Sequence, residues 1–159
     1  MSFFAYNVIS IYIISTLTGC DPGWTLFKHS KKCYKSVETR MNRFDAVKAC
    51  KASKPAANLA SIQDMTTNAF VQSMVSWRSW IGLQKIHGAW VWPDGTKATY
   101  LPWLPGQPSG DGPFVEIFGN SEAEGPGKWN DLSSPPYKRG AVCQYDSKGT
   151  MQYRKGCPM

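Results

Sequence analysis

The 159-residue chain has two histidines, His29 and His87, and neither a Cys-x-x-Cys pair, a Gly-x-Ser-x-Gly element nor a phosphate-cradling glycine loop. These gaps exclude a zinc site of ordinary spacing and leave no recognisable nucleophile with its base. Catalysis is therefore not expected, and any metal must be held by oxygen. No arginine-rich run and no helix with interleaved base-reading residues occurs, which argues against a nucleic-acid partner. The absence of an Asn-x-Ser/Thr sequon removes N-glycosylation, and the absence of repeats or low-complexity linkers argues for one folded domain. The first nineteen residues contain no Lys, Arg, Asp or Glu. Residues 8–14 form a short apolar stretch, followed by small residues at 15–19, and this pattern reads as a secretory signal peptide over residues 1–19. The stretch falls short of the roughly 20 apolar residues of a membrane span. Leu17-Thr18-Gly19-Cys20 also fits a bacterial lipobox, although that signal normally follows a charged segment.

An apolar fraction of 42%, with seven tryptophans, is enough to fill a single core, and only 18% of residues are charged. Such a chain folds. Its net charge of +7 arises after Gly19, with basic clusters at residues 28–35 and 138–139. The charge leaves an acidic partner open, and it fits a solvated face equally well. Five cysteines follow Gly19, and in an exported, extracellular chain they are expected to form disulfides, with one left over.

Two helices are legible. Asn42 suits the cap of the first, with Asp45 three residues on and Phe44, Val47 and Cys50 along an inward stripe. Asp64 suits the cap of the second, in which Phe70, Val71, Met74 and Val75 recur at helical spacing and leave Thr66, Asn68 and Gln72 outside. From Trp80 the helical period gives way to short apolar pieces at 80–83, 89–92, 115–118 and 141–145, which read as strands. Residues 100–112 hold three prolines and three glycines, a composition suited to a long ordered loop, and such loops commonly carry function.

The order of local motifs is more specific than any one of them. Residues 20–34 form a Cys-to-Cys hairpin ending in Cys-Tyr. It is followed by A-V-K-A-C (46–50), L-A-S-I (59–62), W-I-G-L (80–83), W-V-W-P-D-G (90–95) and W-L-P-G-Q-P (103–108). V-E-I-F (115–118), G-K-W-N-D (127–131) and A-V-C-Q-Y (141–145) complete the series. In this order they resemble a long-form C-type lectin domain, over residues 20–146, with a tail at 147–159. The resemblance implies an α+β fold of two helices, two small antiparallel sheets and a long irregular loop, with adjacent termini. It implies disulfides Cys50–Cys143 and Cys20–Cys33, with Cys33–Cys157 as the alternative should Cys20 be lost. A further pair common in the family is missing, its positions being Phe114 and Ser134, so the loop from Gly110 to Asp131 is expected to be less restrained. Cys157 has no family partner, which leaves a free thiol or a disulfide-linked dimer. Trp80, Ile81 and Leu83 are expected to be packing residues.

In sugar-binding members a calcium ion is held by a Glu-Pro-Asn or Gln-Pro-Asp triplet, a downstream acid and the Asn-Asp of W-N-D. Transferred position by position, the resemblance implies Ca2+ ligands at Gln107, Asp111, Asn130 and Asp131, with Gln107, Ser109, Asn130 and Asp131 contacting carbohydrate, and a cis peptide before Pro108. Ser109 departs from the triplet, since a hydroxyl is a neutral and shorter ligand. The implied function is calcium-assisted binding of glycans or glycoproteins, of galactose type by the Gln-Pro pattern. The alternative on the same scaffold is a calcium-independent domain binding protein or polyanion.

Overall fold

The computed structural model describes residues 19–148; residues 1–18 of the expected signal peptide and Cys157 lie outside them. The strands are β1 (Thr25–Phe27), β2 (Lys32–Met41), β3 (Asn58–Leu59), β4 (Ser79–Ile86), β5 (Ala89–Val91), β6 (Phe114–Ile117), β7 (Trp129–Leu132) and β8 (Arg139–Asp146). The helices are α1 (Arg43–Ser53) and α2 (Met65–Ser73). One antiparallel group contains β1, β2, β8 and β3, and the other contains β5, β4, β6 and β7. A short parallel pairing, Ser79 with Gly140 and Trp80 with Ala141, joins the two into one mixed network. The first and last described segments lie side by side, through the Gly19–Lys148 bridge and a 3.4 Å ion pair from Lys148 to Asp21.

Both expected disulfides are present. Cys20–Cys33 closes the β1–β2 hairpin, and Cys50–Cys143 joins α1 to β8 across 93 residues of sequence. Because side chains alternate along a strand, β8 sends Val142 into one core with Ile62, Val71, Ile81, Leu83 and Trp129, and Cys143 into a second with Leu59, Ala46 and Trp80. Trp80, Ile81 and Leu83 are fully buried, as W-I-G-L required. The glycine between them is dictated by packing: a Cβ at Gly82 would lie 2.7 Å from the Pro93 ring and 2.8 Å from the Leu59 carbonyl oxygen.

Asn42 caps α1, its side-chain oxygen accepting the Asp45 amide at 2.9 Å. The inward stripe differs from the expected one in one residue. Arg43, Ala46 and Cys50 are buried, Val47 is half-buried, and Phe44 is 54% exposed. The disulfide fixes which side of α1 faces inward, and residues seven and four before Cys50 share that side, whereas Phe44 is turned away. Arg43 and Phe44 take over where the family's second disulfide is missing. The Arg43 amide donates to Ser134 Oγ at 2.8 Å, its guanidinium lies 5.4 Å from the Phe114 ring centre, and Phe44 meets Phe114 edge-on at 5.5 Å. Burial lowers the Arg43 pKa to about 10, and the guanidinium donates to the Gly82 carbonyl at 3.2 Å. Non-covalent packing thus ties Phe114 and Ser134 to the first turn of α1.

Asp64 caps α2, accepting the Thr67 amide at 2.8 Å and the Thr67 hydroxyl at 2.9 Å. Val71 and Val75 are buried as expected, but Asn68 is not outside: it is 7% exposed. Its side chain donates to the Gly127 carbonyl and accepts Trp129 Nε1–H, both at 2.9 Å. A polar residue is retained inside because it satisfies two buried groups at once. Burial pushes the Asp64 carboxyl up, but the Thr67 hydrogen bonds and His29, 3.3 Å away, outweigh it and leave its pKa below 3.8. Replacing Asp64 by alanine should cost about 1 kcal/mol in urea denaturation near neutral pH. A carboxyl depressed in the folded state stabilises above its unfolded pKa and loses that contribution as the pH falls through the folded value. The gap between Asp64→Ala and the parent should therefore hold above pH 3.8 and shrink below it. A gap independent of pH would show that the carboxylate charge is not what caps the helix.

Candidate functional site

The long loop is anchored at both roots on β7. At its start, the Leu104 amide donates to the Trp129 carbonyl at 2.9 Å, and the Trp129 amide donates back to Pro102 at 3.1 Å. Trp129 is fully buried among Trp92, Tyr100 and Trp103, with ring centres 5.7 to 6.1 Å apart. At the other root, Gly112 lies against the backbone of Leu132 and Ser133, where a Cβ would come within 2.2 Å of the Leu132 carbonyl carbon. The Ser133 hydroxyl donates to the Asp111 carbonyl at 2.5 Å.

Between these roots Asp131 is the hub. It is 1% exposed, and its Oδ1 accepts the Ser109 amide at 2.7 Å and the Ser109 hydroxyl at 3.3 Å. Its Oδ2 accepts the Gly110 amide at 2.8 Å. The Ser109 amide is shared with Gln107 Oε1 at 2.8 Å, and the Gln107–Pro108 peptide is cis, as the resemblance implied. Gln107, Ser109 and Asp131 are thus brought together, on a surface where Pro105, Gly106, Pro108, Ser109 and Gly110 are exposed. Beside them, half-buried Trp90 and Trp103 pack ring to ring at 5.1 Å.

Asn130 and Asp111 do not join this group. Consecutive strand residues face opposite ways, and Asn130 turns to the other side of β7, donating to Glu116 Oε1 at 3.1 Å. Its own Oδ1 is buried without a hydrogen-bond partner. Asp111 is exposed, and its carboxylate makes no hydrogen bond among the described residues. Calcium requires six to eight oxygens. Here both oxygens of Asp131 and the side-chain oxygen of Gln107 are already occupied by backbone amides, Asp111 stands in solvent and Asn130 faces away. Among the described residues no cluster of three or more His, Cys, Asp or Glu could hold a metal. In this arrangement the donor set does not fit a calcium ion. The hub carboxylate instead holds the loop directly.

Sequence reasoning passed over Glu116, whose side chain is fully buried and ion-paired to Arg139. The signal was available: a lone carboxylate inside the apolar run V-E-I-F demands a cationic partner if it is buried.

The family model of the lectin C-type domain matches residues 39–145. The chain belongs to the C-type lectin domain family. It is 31% identical over 137 residues to C-type lectin lectoxin-Lio3 of Erythrolamprus poecilogyrus, covering 82% of this chain and 83% of that protein. The cow C-type carbohydrate-recognition domain of CD23, solved in the presence of a GlcNAc2Man3 oligosaccharide, superposes with a TM-score of 0.71 at 30% identity. That match covers 83% of this chain and 99% of that one. A calcium-independent type II antifreeze protein superposes with a TM-score of 0.68 at 28% identity, covering 81% of this chain and 95% of the other. An oligosaccharide-bound carbohydrate-recognition domain and a calcium-independent antifreeze protein thus share this backbone. Among the described residues, no helix is long and apolar enough to cross a membrane.

Proposed function

We propose that the chain is an exported, non-enzymatic C-type lectin domain that binds glycans of glycoproteins through its long-loop face, with the loop held in place without calcium. The observation that carries this reading is the buried Asp131 carboxylate accepting the Ser109 and Gly110 amides. A bound cation orders such a loop by collecting oxygens around itself; here one fixed negative charge collects the N–H groups instead. The polar groups of exposed Ser109 and Asp111 and of half-buried Gln107, with the Trp90–Trp103 pair beside them, offer hydrogen bonds and an aromatic face of the kind sugars use. The CD23 relative supports the glycan class, and the antifreeze relative supports independence from calcium.

The calcium-assisted, galactose-type reading is favoured by one observation, the approach of Gln107 and Asp131 to the same amide. It requires calcium to displace that amide from both side chains. Calorimetric titration with calcium, paired with a glycan array run with and without chelator, separates the two. Glycan signals should be unchanged by chelator, and millimolar calcium should give no binding heat. Binding that vanishes with chelator and returns with calcium would reverse the assignment.

A further inference from the structure

The face of β6 and β7 opposite the long loop carries a second site. The parallel pairing of Ser79 with Gly140 places Arg78 and Arg139 side by side, each one residue before the paired position, and the pairing of Met41 with Arg139 brings in Arg40. With Glu122 these three arginines line a cleft of about 290 Å3, roughly ten times the volume of a water molecule in the liquid.

The guanidiniums are held from below. Glu116, fully buried, pairs with Arg139 Nε and lies 3.8 Å from Arg78, while the Asn130 amide steadies its other side. Arg78 also pairs with Glu122 at 3.3 Å and stacks over Phe118 at 4.3 Å. Arg139 donates a further bond to the Lys138 carbonyl and packs 5.4 Å from the Tyr137 ring centre. After these contacts Nη2 of Arg78 and Nη2 of Arg139 retain their donors, and Arg40 makes no hydrogen bond or ion pair among the described residues. Three cations facing two carboxylates leave one unmatched positive charge.

We propose that this cleft binds the sulfate ester of a sulfated glycan. A sulfate monoester is a monoanion whose oxygens spread tetrahedrally, matching one unmatched charge and donors arriving from three directions; a phosphate monoester carries close to two charges at neutral pH. Glu122 holds both the amide and the guanidinium of Arg78 in place at the rim. The exposed rings of Tyr137 and of Trp77, next to Arg78, offer faces for the sugar itself. The site lies on the other side of the sheet from Asp131, and the inference does not rest on the long-loop reading.

The test is calorimetry of the intact, oxidised protein with a sulfated tetrasaccharide, its desulfated counterpart and a phosphorylated sugar. The sulfated probe should bind and the desulfated one should not. Arg40→Ala should weaken binding about tenfold, the effect of losing a charge-assisted donor, and should leave the melting temperature unchanged, since Arg40 supports nothing else. Lys28→Ala removes the same charge in the β1–β2 turn, next to the far end of β2 and on the order of 25 Å away at 3.3 Å per residue, and should change affinity less than twofold. In the parent, NMR shifts on titration should concentrate at the Nε–H signals of Arg78 and Arg139. Equal weakening by the two variants would overturn the proposal in favour of diffuse attraction. Tighter binding of the phosphorylated sugar, or equal binding of the desulfated one, would also overturn it.

Discussion

Replacing Cys50 and Cys143 together by alanine should lower the unfolding free energy by about 4 to 5 kcal/mol. The bridge closes 93 residues, and in the chain-entropy account a loop of that length removes this much freedom from the unfolded chain. Domains of this size carry a net stability of roughly 5 to 15 kcal/mol, so the loss is about a third or more of the whole and the variant should melt at a clearly lower temperature. The effect is compounded by place: both sulfurs are fully buried in the core that also holds Leu59 and Trp80. The equivalent change at Cys20 and Cys33, separated by 13 residues, should cost about 3 kcal/mol by the same account. Guanidinium unfolding curves of the two variants check the order. A loss under about 2 kcal/mol at the longer bridge would mean that packing alone holds α1 to β8.

The second large effect is expected at Asp131. Asp131→Ala leaves the Gly110 amide without its acceptor and the Ser109 amide with Gln107 Oε1 alone, and an orphaned polar group costs about 1 to 3 kcal/mol. Water can reach the exposed side of both residues, so a total near 2 kcal/mol is expected, confined to the loop and not spread over the fold. Hydrogen exchange reads this directly: the Ser109 and Gly110 amides should lose protection while Ile81 and Val142, in the core, keep theirs. Glycan binding through the loop face should be lost, and calcium should not restore it. Asp131→Asn keeps an oxygen acceptor but neither the charge nor the second acceptor, and should fall between the two. Unchanged protection at residues 109 and 110 in Asp131→Ala would show that the two roots of the loop suffice to hold it.

The sequence made some of this visible and hid the rest for identifiable reasons. Helix caps were legible because Asn42 and Asp64 act on amides three residues away, a strictly local relation. The sulfur pairing became legible through the order of the motifs. Facing was harder. Phe44 reads as core by its apolarity and Asn68 as surface by its polarity, yet α1 is rotated by its disulfide and Asn68 is drawn in by the Trp129 indole. Both decisions are made by partners distant in sequence. The loop was recognised by its prolines and glycines, but whether its oxygens converge on an ion or on amide protons depends on backbone direction at Ser109 and Gly110, which composition does not encode. The arginine cleft was harder still: Arg40, Arg78 and Arg139 meet only because β2, β4 and β8 are neighbours.

The junction of Gly19 with Lys148 has a practical corollary. A unit whose entry and exit adjoin hangs from its host like a pendant on a single link. Spliced into a surface turn of an unrelated carrier, it would leave the carrier's backbone path nearly undisturbed and keep the arginine cleft, at the other end of the β2–β8 pair, clear of the attachment point.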